Sequence, residues 1–166
     1  MKKGKKIQLI FKDELKNKWN LNKALPEGWQ FEDRGKFKPF EEEKIIGYDK
    51  KELFSGKILL DLLHEAGEAH WLEQKAKKAT GEIAVDEVVE ASERERFGWY
   101  FALRAIRKMR DEGLPLEKYF KDNQELREYY HKCLKEWYEY YKDEYPGLKD
   151  IFTKDYRLVE AKNEQK

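Results

Sequence analysis

The chain has 166 residues, of which 40% are hydrophobic, 42% charged and 14% aromatic. This length fits one compact domain, 1–166. The aromatic content excludes the composition of a disordered chain, which cannot bury enough apolar surface to offset its entropy. Thirty-five basic against 34 acidic residues leave a formal charge of +1, a balance that gives no general drive toward nucleic acid or membrane.

The chain begins with a basic run, Lys2-Lys3-Gly4-Lys5-Lys6, followed by no signal-peptide core. Residues 1–6 and 160–166 read as solvated tails. No apolar stretch approaches the ~18 residues of a membrane span, so the expected location is cytoplasmic. The lone Cys133 excludes a disulfide within the chain and a cysteine-based zinc site.

Ile7-Gln8-Leu9-Ile10-Phe11 is a short apolar run that fits either a strand or the first turn of a helix continuing to Trp19. Leu25-Pro26-Glu27-Gly28-Trp29 reads as a turn. Phe37 to Phe40 brackets Pro39 and is expected to be extended or irregular. Lys44-Ile45-Ile46-Gly47-Tyr48 is β-like. From Lys57 the apolar residues Ile58, Leu59, Leu62, Leu63, Ala66 and Ala69 recur at 3–4 spacing, predicting a helix that starts near Ser55 or Gly56 and ends or breaks at Thr80-Gly81. A second helix is predicted from about Asp86 to Arg110, with Val88, Phe97, Tyr100, Phe101, Leu103 and Ile106 among its core residues, ended by Gly113-Leu114-Pro115. A third runs from about Asn123 to Tyr145, where Pro146-Gly147 stops it. Its stripe, from Leu126 through Tyr129, Tyr130, Cys133 and Trp137 to Tyr140 and Tyr141, reads as core packing. The fold class is therefore α+β and mainly helical, with three substantial helices and a small sheet built from the first half.

The chemistry concentrates in Leu62-Leu63-His64-Glu65-Ala66-Gly67-Glu68-Ala69. His64 and Glu68 lie one helical turn apart on one face and can reach a common ion. In the H-E-x-x-H arrangement two histidines bind zinc and the intervening Glu acts on water. Here the string is H-E-x-x-E, and a carboxylate can still ligate a divalent metal. Glu65 is the candidate general base. A third ligand must come from elsewhere, and Glu95 on the next helix is the best candidate. Glu93 sits roughly 200° around that helix, so both should not serve. The competing reading makes His64, Glu65 and Glu68 plain charges on an amphipathic helix. His70 falls on another side of the first helix and reads as a surface or supporting residue. His131 reads as packed or exposed among tyrosines, and Cys133 as buried and inert. A two-metal bundle needs paired E-x-x-H motifs, and only Asp61-x-x-His64 is present. No phosphate-binding Gly-rich loop and no nucleophile elbow is found.

The string Leu62-Leu63-His64-Glu65-x-Gly67-x-Ala69 resembles the active helix of short gluzincin-type metallopeptidases, which include phage and mobile-element proteins and the ImmA/IrrE-like group. Glu95-Arg96-Phe97-Gly98-Trp99-Tyr100-Phe101-Ala102 is similar to the downstream helix that carries the family's third ligand. The resemblance covers roughly residues 44–107. It implies a minimal zincin-like domain, with a strand near Ile45–Tyr48 shortly before the active helix. It also implies His64 as first ligand, Glu65 as general base and Glu95 as third ligand. Glu68 stands where the family has its second histidine. The implied activity is that of a metal-dependent hydrolase, a peptidase or a degenerate descendant of one, acting on a peptide or protein substrate. The alternative is a non-catalytic interaction module that keeps the fold. Zinc is the metal the resemblance implies, and the extra carboxylate at Glu68 opens the site to manganese or magnesium.

Overall fold

The computed structural model describes residues 8–53, 56–78 and 87–143. The fold is α+β and mainly helical. Its first part holds β1 (Ile10–Lys12), β2 (Lys18–Asn20), β3 (Gln30–Asp33), β4 (Lys38–Phe40) and β5 (Ile45–Tyr48). β1 and β2 form an antiparallel pair with Phe11 opposite Trp19. Ile10 and Phe11 of the first apolar run thus lie in a strand and do not start a helix. The reason is local. Asp13 accepts hydrogen bonds from the Asn17 main-chain N–H and the Trp19 indole, each at 2.9 Å. Lys16 turns the chain at φ 65°. These contacts reverse the backbone where a helix would have to continue.

β5 is the centre of the second sheet, parallel to β3 and antiparallel to β4. Ile45, Ile46 and Gly47 are all buried, as expected of a strand covered on both faces. A Cβ at Gly47 would lie 2.7 Å from the Lys36 carbonyl oxygen and 2.8 Å from the Phe40 ring, so the strand passes its neighbours only as glycine. Pro39 lies on β4, an edge strand, where its missing N–H breaks no ladder.

Three helices follow: α1 (Gly56–Lys78), α2 (Glu87–Asp111) and α3 (Asn123–Tyr141). α1 is the central element. Leu59, Leu60, Leu62, Leu63, Ala66 and Ala69 are all buried, which spreads its apolar surface well beyond one stripe. Phe31 and Ile46 from the sheet, Ile106 from α2 and Leu126 from α3 join α1 in one core. Glu73 ties the sheet to α1: its Oε1 accepts from the Trp29 indole and pairs with Lys44 Nζ, both at 2.8 Å. α2 ends at Gly113, φ 111°, where the Leu114 N–H bonds back to the Met109 carbonyl at 2.9 Å. Asp122 caps α3 by accepting from the Glu125 N–H at 2.9 Å.

Several details differ from the sequence reading. Trp99 and Ala102 join Ile106 in the α2 core, while Tyr100 is 60% exposed. A 3–4 apolar spacing fixes a stripe only to within about one residue, and the close approach of α2 to α1 at Gly98 chose its phase. Tyr140 is 77% exposed, and Cys133 is half-buried instead of enclosed. α3 stops at Tyr141. The proposed stops at Thr80-Gly81 and Pro146-Gly147, and Val88 as a core side chain, lie outside the described residues. Among the described residues no helix is long and apolar enough to cross a membrane.

Candidate metal centre

α1 and α2 cross at two glycines. A Cβ at Gly67 would lie 2.7 Å from Phe101 Cβ and 2.8 Å from Gly98 Cα. One at Gly98 would lie 2.8 Å from His64 Cδ2 and 2.9 Å from His64 Nε2. Only the absence of side chains lets α2 close over the imidazole. Trp99 then stacks on His64, with ring centroids 4.3 Å apart, and its indole N–H donates to Glu95 Oε1 at 2.9 Å. One short segment of α2 thus supplies a carboxylate, a close backbone and the ring that holds both partners.

The structure brings His64, Glu68 and Glu95 together. One donor atom from each lies within 4.8 Å of the others, and the residues are only 5–6% exposed. His64 Nε2 is 3.3 Å from Glu95 Oε1. Two donors around a tetrahedral zinc, each about 2.1 Å from it, stand about 3.4 Å apart. Nε2 has no hydrogen-bond partner and is buried. A buried polar atom left unpaired is costly, and a cation between these donors would satisfy it. The donor set therefore fits a divalent metal. Glu65 points one oxygen at His64 Nδ1, 3.4 Å away, while its Oε2 is buried without a partner.

The electrostatics follow from crowding charges out of water. Burial works to depress the His64 pKa, but Glu95 and Glu65 together outweigh it and hold the ring well above its ordinary value. Burial and the neighbouring Glu65 push Glu68 up to about 8, against the pull of His64. Glu95 is also penalised by burial, yet His64 and the Trp99 indole keep its carboxyl below the usual range.

Arg94 had no role in the sequence reading. Its Nε lies 3.4 Å from Glu68 Oε1, giving that buried carboxylate a counter-charge. A second unforeseen pair lies one turn before His64. The Tyr129 hydroxyl, from α3, reaches both oxygens of Asp61, at 2.7 and 2.9 Å. Asp61 appears in the sequence only as the start of Asp61-x-x-His64 and Tyr129 only in the α3 stripe, so the packing alone reveals the pair. Tyr129 and Tyr130 also brace Trp99, with ring centroids at 6.3 and 5.6 Å.

The remaining candidates fall elsewhere. Glu93 is exposed. His70 is half-buried, with Nε2 2.8 Å from the Ala24 carbonyl oxygen and its ring against Phe101. His131 is half-buried beside Tyr130. No family model, curated protein or solved structure matches the chain.

Proposed function

We propose that this protein is a metal-dependent hydrolase of peptide or protein substrates. His64, Glu68 and Glu95 would hold a divalent cation, and Glu65 would be the general base. The observation that carries the reading is the buried cluster of His64, Glu68 and Glu95 itself, with His64 Nε2 3.3 Å from Glu95 Oε1 and lacking a hydrogen-bond partner. The peptide class of substrate rests on the resemblance of the His64 and Glu95 segments to gluzincin-type active helices. When bound, a divalent cation supplies Lewis acidity that lowers the pKa of water from about 16 to about 7.

The chain's own residues supply the rest. Glu65 Oε1 faces His64 Nδ1 and favours the tautomer that leaves Nε2 free for a ligand bond. Glu65 Oε2, buried and unpartnered, is the atom to accept a proton from water and return it to the leaving amine. Zinc is the ion implied by the resemblance, and two carboxylates in the donor set favour manganese or magnesium more than two imidazoles would.

The test is elemental analysis of protein purified without chelator, beside a peptide-cleavage assay of the parent and Glu65→Gln. Both forms should carry near-stoichiometric metal, and the variant should cleave at least about a hundredfold more slowly. A protein that takes up no metal removes the reading. A second reading, the non-catalytic interaction module, is favoured by how closed the three side chains are. Metal uptake by the parent with no cleavage of any peptide would select it.

A further inference from the structure

Among the described residues β2 presents an open edge. In the β1–β2 ladder the Leu21 N–H bonds to the Leu9 carbonyl and the Asp13 N–H to the Asn17 carbonyl. In an antiparallel pair, hydrogen-bonded positions alternate with non-bonded ones, so Phe11 and Trp19 between them form the bonded pair. Lys18 and Asn20 therefore turn their main-chain N–H groups away from β1. Among the described residues no strand pairs with β2 on that side.

Both residues line a groove of about 850 Å³ between β2, the turn after it and the C-terminal half of α2. Its apolar lining comes from Trp19, Leu63, Phe97, Phe101 and Met109. Four cations border it, Lys18, Lys23, Arg104 and Lys108, against one carboxylate, Glu112, which lies 4.0 Å from Lys108. In a chain of net charge +1 this is a local excess. Arg104 lies over the exposed Tyr100 ring, 5.5 Å from its centroid. Phe97 is about 200° around α2 from Glu95, so the groove opens on a different face from the metal ligands.

The geometry points to an extended acidic peptide segment that binds this groove as a third strand on β2. A strand sends alternate side chains to opposite sides. Apolar side chains would enter the groove, carboxylates would meet the four cations, and main-chain groups would pair with Lys18 and Asn20. A nucleic acid strand would use the cations but has no main chain to pair with a strand edge, so the peptide is favoured.

Fluorescence anisotropy with a labelled short peptide of alternating Glu and Leu tests this on the full chain, in chelator so that metal plays no part. Saturable binding is expected, about tenfold weaker or more for the double variant Arg104→Glu/Lys108→Glu. Both residues are exposed, and circular dichroism melting should show the variant folded like the parent. The same peptide N-methylated at alternate residues, in each of the two registers, should bind about tenfold more weakly in one register only. A peptide of alternating Lys and Leu should not bind. No binding of the acidic peptide, or binding unchanged by the charge reversals, overturns the proposal. Equal binding of both N-methylated forms and the parent peptide overturns strand addition. Tighter binding of a single-stranded oligothymidylate, lost in the same variant, would assign the groove to nucleic acid instead.

Discussion

Glu68 offers the proposed metal site a carboxylate where the resemblance implies an imidazole, and Arg94 changes what that difference means. A neutral His64 with two carboxylates and a 2+ ion sums to zero, whereas two imidazoles and one carboxylate leave +1. With Arg94 at 3.4 Å from Glu68 the local sum is again +1. Charge is restored, but the donor remains a hard oxygen. Glu68→His should therefore tighten zinc binding by about tenfold or more and leave manganese binding equal or weaker. Calorimetric titration of both forms decides this, and unchanged zinc affinity would place Glu68 outside the ligand set. Asp61 supplies a separate prediction. Burial pushes its carboxyl up to about 6, although the Tyr129 hydroxyl works in the opposite direction. An unfolded Asp ionises near 3.8, so between that pH and about 6 the folded chain holds a proton the unfolded chain has lost. Stability falls as pH rises through this window and levels off above it, by about 3 kcal/mol. Asp61→Asn removes the slope while keeping an acceptor for Tyr129. Urea unfolding at about pH 4 and about pH 7 should show the variant gaining on the parent at the higher pH. The same gap at both pH values would contradict it.

α1 and α2 meet where each has a glycine, and two opposing effects act on a substitution there. Alanine at an ordinary helical position is favoured over glycine by about 1 kcal/mol. At Gly67 the new methyl would sit 2.7 Å from Phe101 Cβ and 2.8 Å from Gly98 Cα. Those atoms belong to a packed helix and cannot swing aside. Overpacking of this kind costs about 1–3 kcal/mol, so Gly67→Ala should be net destabilising and should weaken metal uptake as the helices part. A variant with a raised thermal midpoint would mean that propensity wins and the helices are not in contact at this turn. α3 acts one layer further out. Its Tyr129 and Tyr130 hold Trp99, which in turn holds His64 and Glu95.

Across the whole molecule, a cation held between α1 and α2 would bind the folded chain and not the unfolded one. At a free concentration about a hundred times the dissociation constant this adds about 2.7 kcal/mol. For a domain of this size that corresponds to a rise of roughly 5–10 °C in thermal midpoint. Differential scanning calorimetry with zinc and with manganese should show it, and Glu95→Gln should abolish it. A midpoint unmoved by either ion would mean that the three donors hold no metal in solution.

Residue spacing alone carried the reading some distance. The 3–4 recurrence from Ile58 to Ala69 marked α1, and the same period placed His64 and Glu68 on one face, because helical geometry is local. Ile45-Ile46 marked β5 because a central strand is apolar on both sides. β2 and β3, Lys18–Asn20 and Gln30–Asp33, were not legible. They are short and largely polar, and exist as strands only through their partners. On α2 the helical period sets Glu93 apart from Glu95, and the resemblance also implies Glu95 as the third ligand. Which face of α2 meets α1 is a nonlocal matter, decided by how closely Gly67 and Gly98 let the backbones approach. That contact put Trp99 in the core and Tyr100 outside. Tertiary structure alone set Arg94 against Glu68 and Tyr129 against Asp61, because contacts between helices depend on packing and leave no periodic trace along the chain.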